Sequence, residues 1–212
     1  MAGSARTRKE KADETRARVF ASAVDLFRKD GFHGTTIDEI AARAGVAKGT
    51  FFVHFRSKEA VIAELVRIQT SAAIDARARA IAAGADPIRA LRTTVLTLAE
   101  MAAASRSLSR GVLSATLESR EVGGEASDLF ETVFAAMTAD AREAKKKKML
   151  LAHADPDALA ASLMACYLGG VLHFASTKKA ISLVELVTPL VDANLRGAVR
   201  SQTKTISKRG KK

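Results

Sequence analysis

The chain is 212 residues long, 48% hydrophobic and 27% charged, and its 34 Lys and Arg against 23 Asp and Glu give a formal net charge of +11. A chain of this length buries roughly 70% of its unfolded surface in one body, and its hydrophobic share excludes a disordered polycation. One cysteine and four scattered histidines exclude a disulfide-stapled domain and a cysteine-rich metal module.

The opening residues carry no apolar core ahead of a cleavage site, so the expected location is cytoplasmic, with no membrane partner. Residues 1–14 read as a flexible basic arm. From Thr15, the apolar residues Val19, Phe20, Ala23, Leu26 and Phe27 return every three or four positions up to a stop at Gly31, which predicts an amphipathic helix. Thr36 and Glu39 form a capping box for a short second helix ending near Ala44. Gly45 supplies the tight turn, Val46 drops between the helices, and a third short helix spans Ala47 to Phe52. A longer helix runs from Lys58 to about Ala82. Asp86-Pro87 caps the next, and a shorter one covers Leu108 to Leu117.

Glu121 to Gly124 reads as a loop, with the following helix starting near Glu125 or Ala126 and emerging into solvent at the run Lys145–Lys148. Asp155-Pro156 caps a long apolar helix. Its uncharged stretch, Ala158 to Thr177, approaches the ~20 residues of a membrane span, but Ser162, the Gly169-Gly170 pair and His173 favour a buried or interfacial soluble helix. Ser182 and Glu185 open the last helix, Leu183 to Leu195. About nine helices and no period-two run give an all-α fold.

The charge is unevenly placed. Residues 1–60 carry 12 basic and 8 acidic side chains, residues 61–196 carry 16 and 15, and residues 197–212 carry 6 and 0. A nucleic-acid module at the front and a basic, disordered tail over 197–212 would give this distribution; ordinary solubilising charge and a frayed end would too.

The segment VFASAVDLFRKDGFHGTTIDEIAARAGVAKGTFFVHFRSKEAVIAEL, within Thr15 to Glu64, resembles the N-terminal DNA-binding domain of the TetR family of bacterial transcription regulators. The likeness holds in order and spacing across four helices. The resemblance implies a helix-turn-helix DNA-binding domain over 15–60 and a helical effector-binding and dimerisation domain over 61–196. It also implies a repressor that binds a pseudo-palindromic operator as a homodimer and is released by a small hydrophobic effector.

Physical chemistry bears on the same residues. A short helix after a glycine turn fits a major groove, where Lys48 can donate to guanine and Thr50 can hydrogen-bond or offer its methyl to thymine. Both could instead meet phosphate. Ala47, Phe51 and Phe52 complete that helix's expected DNA-binding set. Resemblance places phosphate contacts at Thr36, His54 and Lys58. Phe52 stands where the family typically has tyrosine, which removes a hydroxyl; Arg56 and the arm residues Arg6, Arg8, Lys9 and Lys11 are the expected substitutes. Phe27, Ile40, Val46 and Phe55 are assigned to the core.

Resemblance places dimerisation on the last two long helices, where alanines and glycines permit close approach; the same stretch could be monomer core. It also implies an effector cavity. Leu98, Met101, Leu117, Phe130, Phe134, Met137, Met164, Tyr167 and His173 are the expected lining, with ordinary core packing as the alternative for each. No phosphate-binding glycine loop, nucleophile elbow or HExxH motif occurs, so no enzyme and no cofactor are expected. An architectural DNA-binding protein without effector response, and a helical scaffold without DNA affinity, are the rival readings.

Overall fold

A computed structural model of the chain describes residues 7–118 and 120–199, with side chains described at all of these except 120–123, 125 and 126. Among the described residues there are nine helices: α1 (Arg8–Asp30), α2 (Ile37–Ala44), α3 (Lys48–His54), α4 (Lys58–Ala82), α5 (Pro87–Ala103), α6 (Arg106–Glu118), α7 (Arg120–Lys146), α8 (Pro156–Ser176) and α9 (Leu183–Ala198). The one element of β geometry among them is an isolated bridge, Leu150 to Val199. The fold is all-α.

Most boundaries follow from caps. Thr36, Ser57, Asp86, Asp155 and Ser182 each accept a backbone N–H in the first turn of the helix they precede. Pro87 and Pro156 occupy first-turn positions where no N–H is needed. Gly45 is left-handed at φ 64°, and the N–H groups of Gly45 and Val46 return to the carbonyls of Ala42 and Ala41.

Three expectations are corrected and one is refined. Residues 8–14 are not an arm: Thr7 and Glu10 make a reciprocal capping box, so α1 starts about two turns ahead of Thr15, where the apolar pattern placed it. Arg6 lies outside the described residues. The expected loop at 121–124 is helical, with α7 starting at Arg120; two glycines cost a helix roughly 1 kcal/mol each, a penalty that packing and neighbouring helix formers can offset. The lysine run does emerge into solvent at Lys146–Lys148, the refinement being that the Lys145 ammonium donates to the carbonyls of Leu151, Ala152 and Ala154 at 2.7–3.0 Å and closes the turn after α7. The tail begins later than expected: Gly197 and Ala198 belong to α9, and Leu151 N–H bonds Ala198 O at 2.8 Å. Residues 200–212 lie outside the described residues.

Two hydrophobic clusters organise the molecule. The larger joins α4, α5, α7, α8 and α9 around Leu91, Leu98, Met137, Leu163 and Leu183. The smaller holds Val19, Phe27, Ile40 and Phe51 of the first three helices, and it is completed by Val61 and Ile62 of α4 and Leu108 and Ala115 of α6. The helix-turn-helix segment therefore shares its core with the body. Ion pairs tie the body's helices together: Arg77 to Asp140 (2.6 Å), Arg92 to Asp192 (2.7 Å) and Arg142 to Asp157 (2.7 Å). Among the described residues α8 alone is long and apolar enough to cross a membrane, yet half of its most apolar window is buried inside the protein.

Candidate nucleic-acid interface and cavity

The position of α3 is set by its neighbours. Arg18 of α1 donates to Ala44 O at the end of α2 (2.9 Å), the Gly45 turn reverses the chain, and Phe51 anchors α3 from within the core. Phe51 makes an edge contact with Phe52 and a tilted one with Phe55. The outward side of α3 presents Lys48, Gly49, Phe52 and Val53, with Phe52 47% and Val53 78% exposed. A helix held by one buried aromatic with small and basic residues outside has the shape a major groove admits.

The expected DNA-contacting residues divide on inspection. Ala47 is the exposed N-cap of α3, and Lys48, Phe52 and Arg56 are exposed. Thr50 and His54 are half-buried. Thr36 sits at the N-cap of α2 with its hydroxyl engaged by Glu39, whose carboxyl is held below its ordinary range chiefly by the Thr36 backbone N–H. Phe51 is corrected: it is fully buried and packs the core. Lys58 is half-buried and engaged within the chain. Its ammonium donates to Phe32 O (3.0 Å) and Thr35 O (3.2 Å) and lies 4.6 Å from the Phe32 ring centre, so it closes the loop between α1 and α2. Lys48 pairs with Asp38 of α2 at 2.9 Å; with both side chains more than half exposed, such a pair is worth about 0–1 kcal/mol and yields readily to a better acceptor. Val53 was not foreseen; only its place beside Phe52 on a short helix could have drawn attention to it.

In the body, a cavity of about 650 Å³ lies between α4, α6, α7 and α8. Of the nine residues expected to line it, Leu117, Phe130, Met164 and Tyr167 do. Leu98 and Met137 are fully buried core, while Met101 and Phe134 are half-buried and stand outside the cavity lining. His173 is exposed on α8, because at helical spacing it points away from the face that carries Phe174 and Tyr167 inward. Sequence reasoning missed Gln69 and Thr116. Gln69 was detectable as a neutral polar residue within the buried face of α4, between Val66 and Ala73.

Helix α6 touches both features. Ser107 donates to Phe27 O (2.8 Å), His33 meets Ser114 (2.7 Å), and Gly111 lets Phe32 approach so closely that a Cβ there would stand 3.0 Å from it. On its other side α6 contributes Leu113 and Thr116 to the cavity, and Arg106 and Arg110 bond the carbonyls of Thr177, Lys179 and Ala175 at the end of α8. A group filling the cavity thus bears on the helix that seats α1.

A profile described as bacterial regulatory proteins, tetR family, matches residues 19–65. Over those residues the chain resembles the DNA-binding domain of the TetR family. An uncharacterised HTH-type transcriptional regulator of Bacillus subtilis, YerO, is 46% identical over 50 residues, which are 24% of this chain and 17% of that protein. The chain thus aligns with under a fifth of YerO's length, and with about three tenths of the next two curated relatives. Solved TetR-family structures match over nearly the whole fold. FadR of Thermus thermophilus, solved with lauroyl-CoA, is 26% identical with a TM-score of 0.65 and covers 89% of this chain and 97% of its own. SmeT, the repressor of the Stenotrophomonas maltophilia multidrug efflux pump SmeDEF, is 24% identical with a TM-score of 0.72, over 90% of this chain and 93% of its own.

Proposed function

We propose that the protein is a ligand-responsive transcriptional repressor that binds a pseudo-palindromic operator as a homodimer in the cytoplasm. The observation that carries the reading is α3, anchored by buried Phe51 and turned outward by left-handed Gly45, within the segment that matches the family profile. Ala47, Lys48, Thr50, Phe52, His54 and Arg56 are its DNA-contacting set, with Lys48 the base reader and Thr36 near phosphate at the start of α2. A single module offers little surface, so two-fold pairing is the expectation.

Exposed apolar residues on α8 and α9 support that pairing: Leu190 on α9 and, on α8, Leu168 and Leu172, which also border the cavity, are each more than 40% exposed. These faces would pack as a four-helix interface. A small hydrophobic effector in the cavity, through Leu117, Phe130, Met164 and Tyr167, would press on α6 and α4 and change the separation of the two α3 helices. Only a difference in affinity between the two states is required. T. thermophilus FadR was solved with a ligand bound, which fits a fold of this kind holding one.

The test is an anisotropy titration of a duplex enriched from a random library, combined with the mass of the complex. Two chains per inverted repeat are expected, with Lys48→Ala changing which sequence is preferred. One chain per duplex, or affinity indifferent to sequence, would contradict the reading.

A further inference from the structure

Among the described residues, the lining of the cavity between α4, α6, α7 and α8 has no charged side chain. It does have buried polar groups without partners. Gln69 is 92% buried and makes no hydrogen bond among the described residues. Tyr167 is 97% buried, and its hydroxyl has no partner among them either. The Thr116 hydroxyl is buried and unpaired. An unsatisfied buried donor or acceptor costs roughly 1–3 kcal/mol, and native proteins keep few of them. Here Gln69 of α4 and Tyr167 of α8, both without hydrogen-bond partners among the described residues, line one apolar space with Phe130 and Met164 for walls, and the shielded Thr116 hydroxyl of α6 lies beside it.

We infer that this cavity takes an uncharged lipophilic molecule bearing one neutral hydrogen-bonding head, a hydroxyl or carbonyl, which the Gln69 amide and the Tyr167 hydroxyl satisfy. Gln69 can donate and accept, and the Tyr167 hydroxyl can do either, so the pair suits a head with both capacities. An ionised carboxylate or an ammonium would find no countercharge among the described lining residues, and burying an unpaired ion costs several kcal/mol. This inference rests on the reading of the cavity as the effector site.

The test uses the full chain and three ten-carbon probes that differ in head charge: decan-1-ol, decanoate and decyltrimethylammonium, titrated calorimetrically at pH 7.5. Decanol is expected to bind at least tenfold more tightly than either ion. Gln69→Leu and Tyr167→Phe should each weaken decanol about three- to tenfold, the loss of one hydrogen bond, and circular dichroism should show both variants folded. Leu113→Trp, which fills the cavity from another wall, should abolish binding. Equal or tighter binding of either ion, no binding of any probe, or decanol affinity unchanged in both polar variants would overturn the inference. Sequence-specific DNA binding without ligand is measured separately. If that is present and the probe series fails, the ligand class is wrong; if it is absent, the regulator reading fails whatever the probes do.

Discussion

Two lysines ten residues apart show how little residue type says about role. Lys48 lies in the open on α3 with one exchangeable partner, Asp38, whereas Lys58 spends its ammonium on two backbone carbonyls and an aromatic face. Lys58→Ala should therefore lower stability by about 1–3 kcal/mol, because it leaves two carbonyls short of a donor. Lys48→Ala should leave stability within about 0.5 kcal/mol while altering sequence preference. Urea denaturation of the two variants, followed by DNA titration, separates the cases. Glu64 offers a pH signature. Its carboxyl is drawn down to about 2, chiefly by the hydrogen bond from Arg67 and also by Arg16 of α1. A depressed folded pKa means that this stabilisation is complete above the unfolded value near 4.5 and fades as pH falls toward 2. Wild type should accordingly exceed Glu64→Gln in stability at pH 7, with the gap closing between pH 4.5 and 2 in denaturation curves taken across that range.

At the scale of elements, α8 carries two adjacent glycines with opposite surroundings. A Cβ on Gly170 would collide with Val187 and crowd Leu183 of α9, while one on Gly169 would meet nothing. Gly170→Ala is expected to destabilise by about 1–3 kcal/mol through overpacking. Gly169→Ala should be neutral or slightly stabilising, since alanine favours a helix by up to about 1 kcal/mol. Thermal melts of the two variants check the contrast. Elements of this kind were legible where a local device marks them: the caps at Thr36, Asp86 and Asp155 and the Gly45 turn are statements about a few neighbouring residues. What the sequence concealed depends on distant partners. The Thr7–Glu10 box lies ahead of any apolar periodicity. The helix through 121–124 overrides glycine propensity, and the carbonyls that Lys58 binds are fixed by a loop 23 to 26 positions away. Phe51 and Phe52 read alike in sequence, and only the packing of α3 on the core turns one inward and the other outward. The cavity was half legible for the same reason: helical spacing identifies an inward face but cannot separate residues that fill a core from those that border a void.

For the whole molecule, function depends on joining its parts. The helix-turn-helix segment has no closed core of its own, since Val61, Ile62, Leu108 and Ala115 complete it, so the body sets how α3 is held. Pairing through α8 and α9 would then fix the distance between two such helices. Leu190→Arg should convert a dimer to monomer in sedimentation velocity and weaken operator binding while leaving helicity unchanged; a dimer that persists would place the interface elsewhere. The central claim is that α3 reads sequence. The most direct measurement is selection of bound duplexes from a random library by wild type and by Lys48→Ala, with the enriched site compared with scrambled DNA over a salt series. The account predicts an enriched inverted repeat whose advantage persists at moderate salt and whose half-site sequence changes in the variant. Salt-sensitive binding with no enriched sequence, or no duplex binding at low salt, would contradict it.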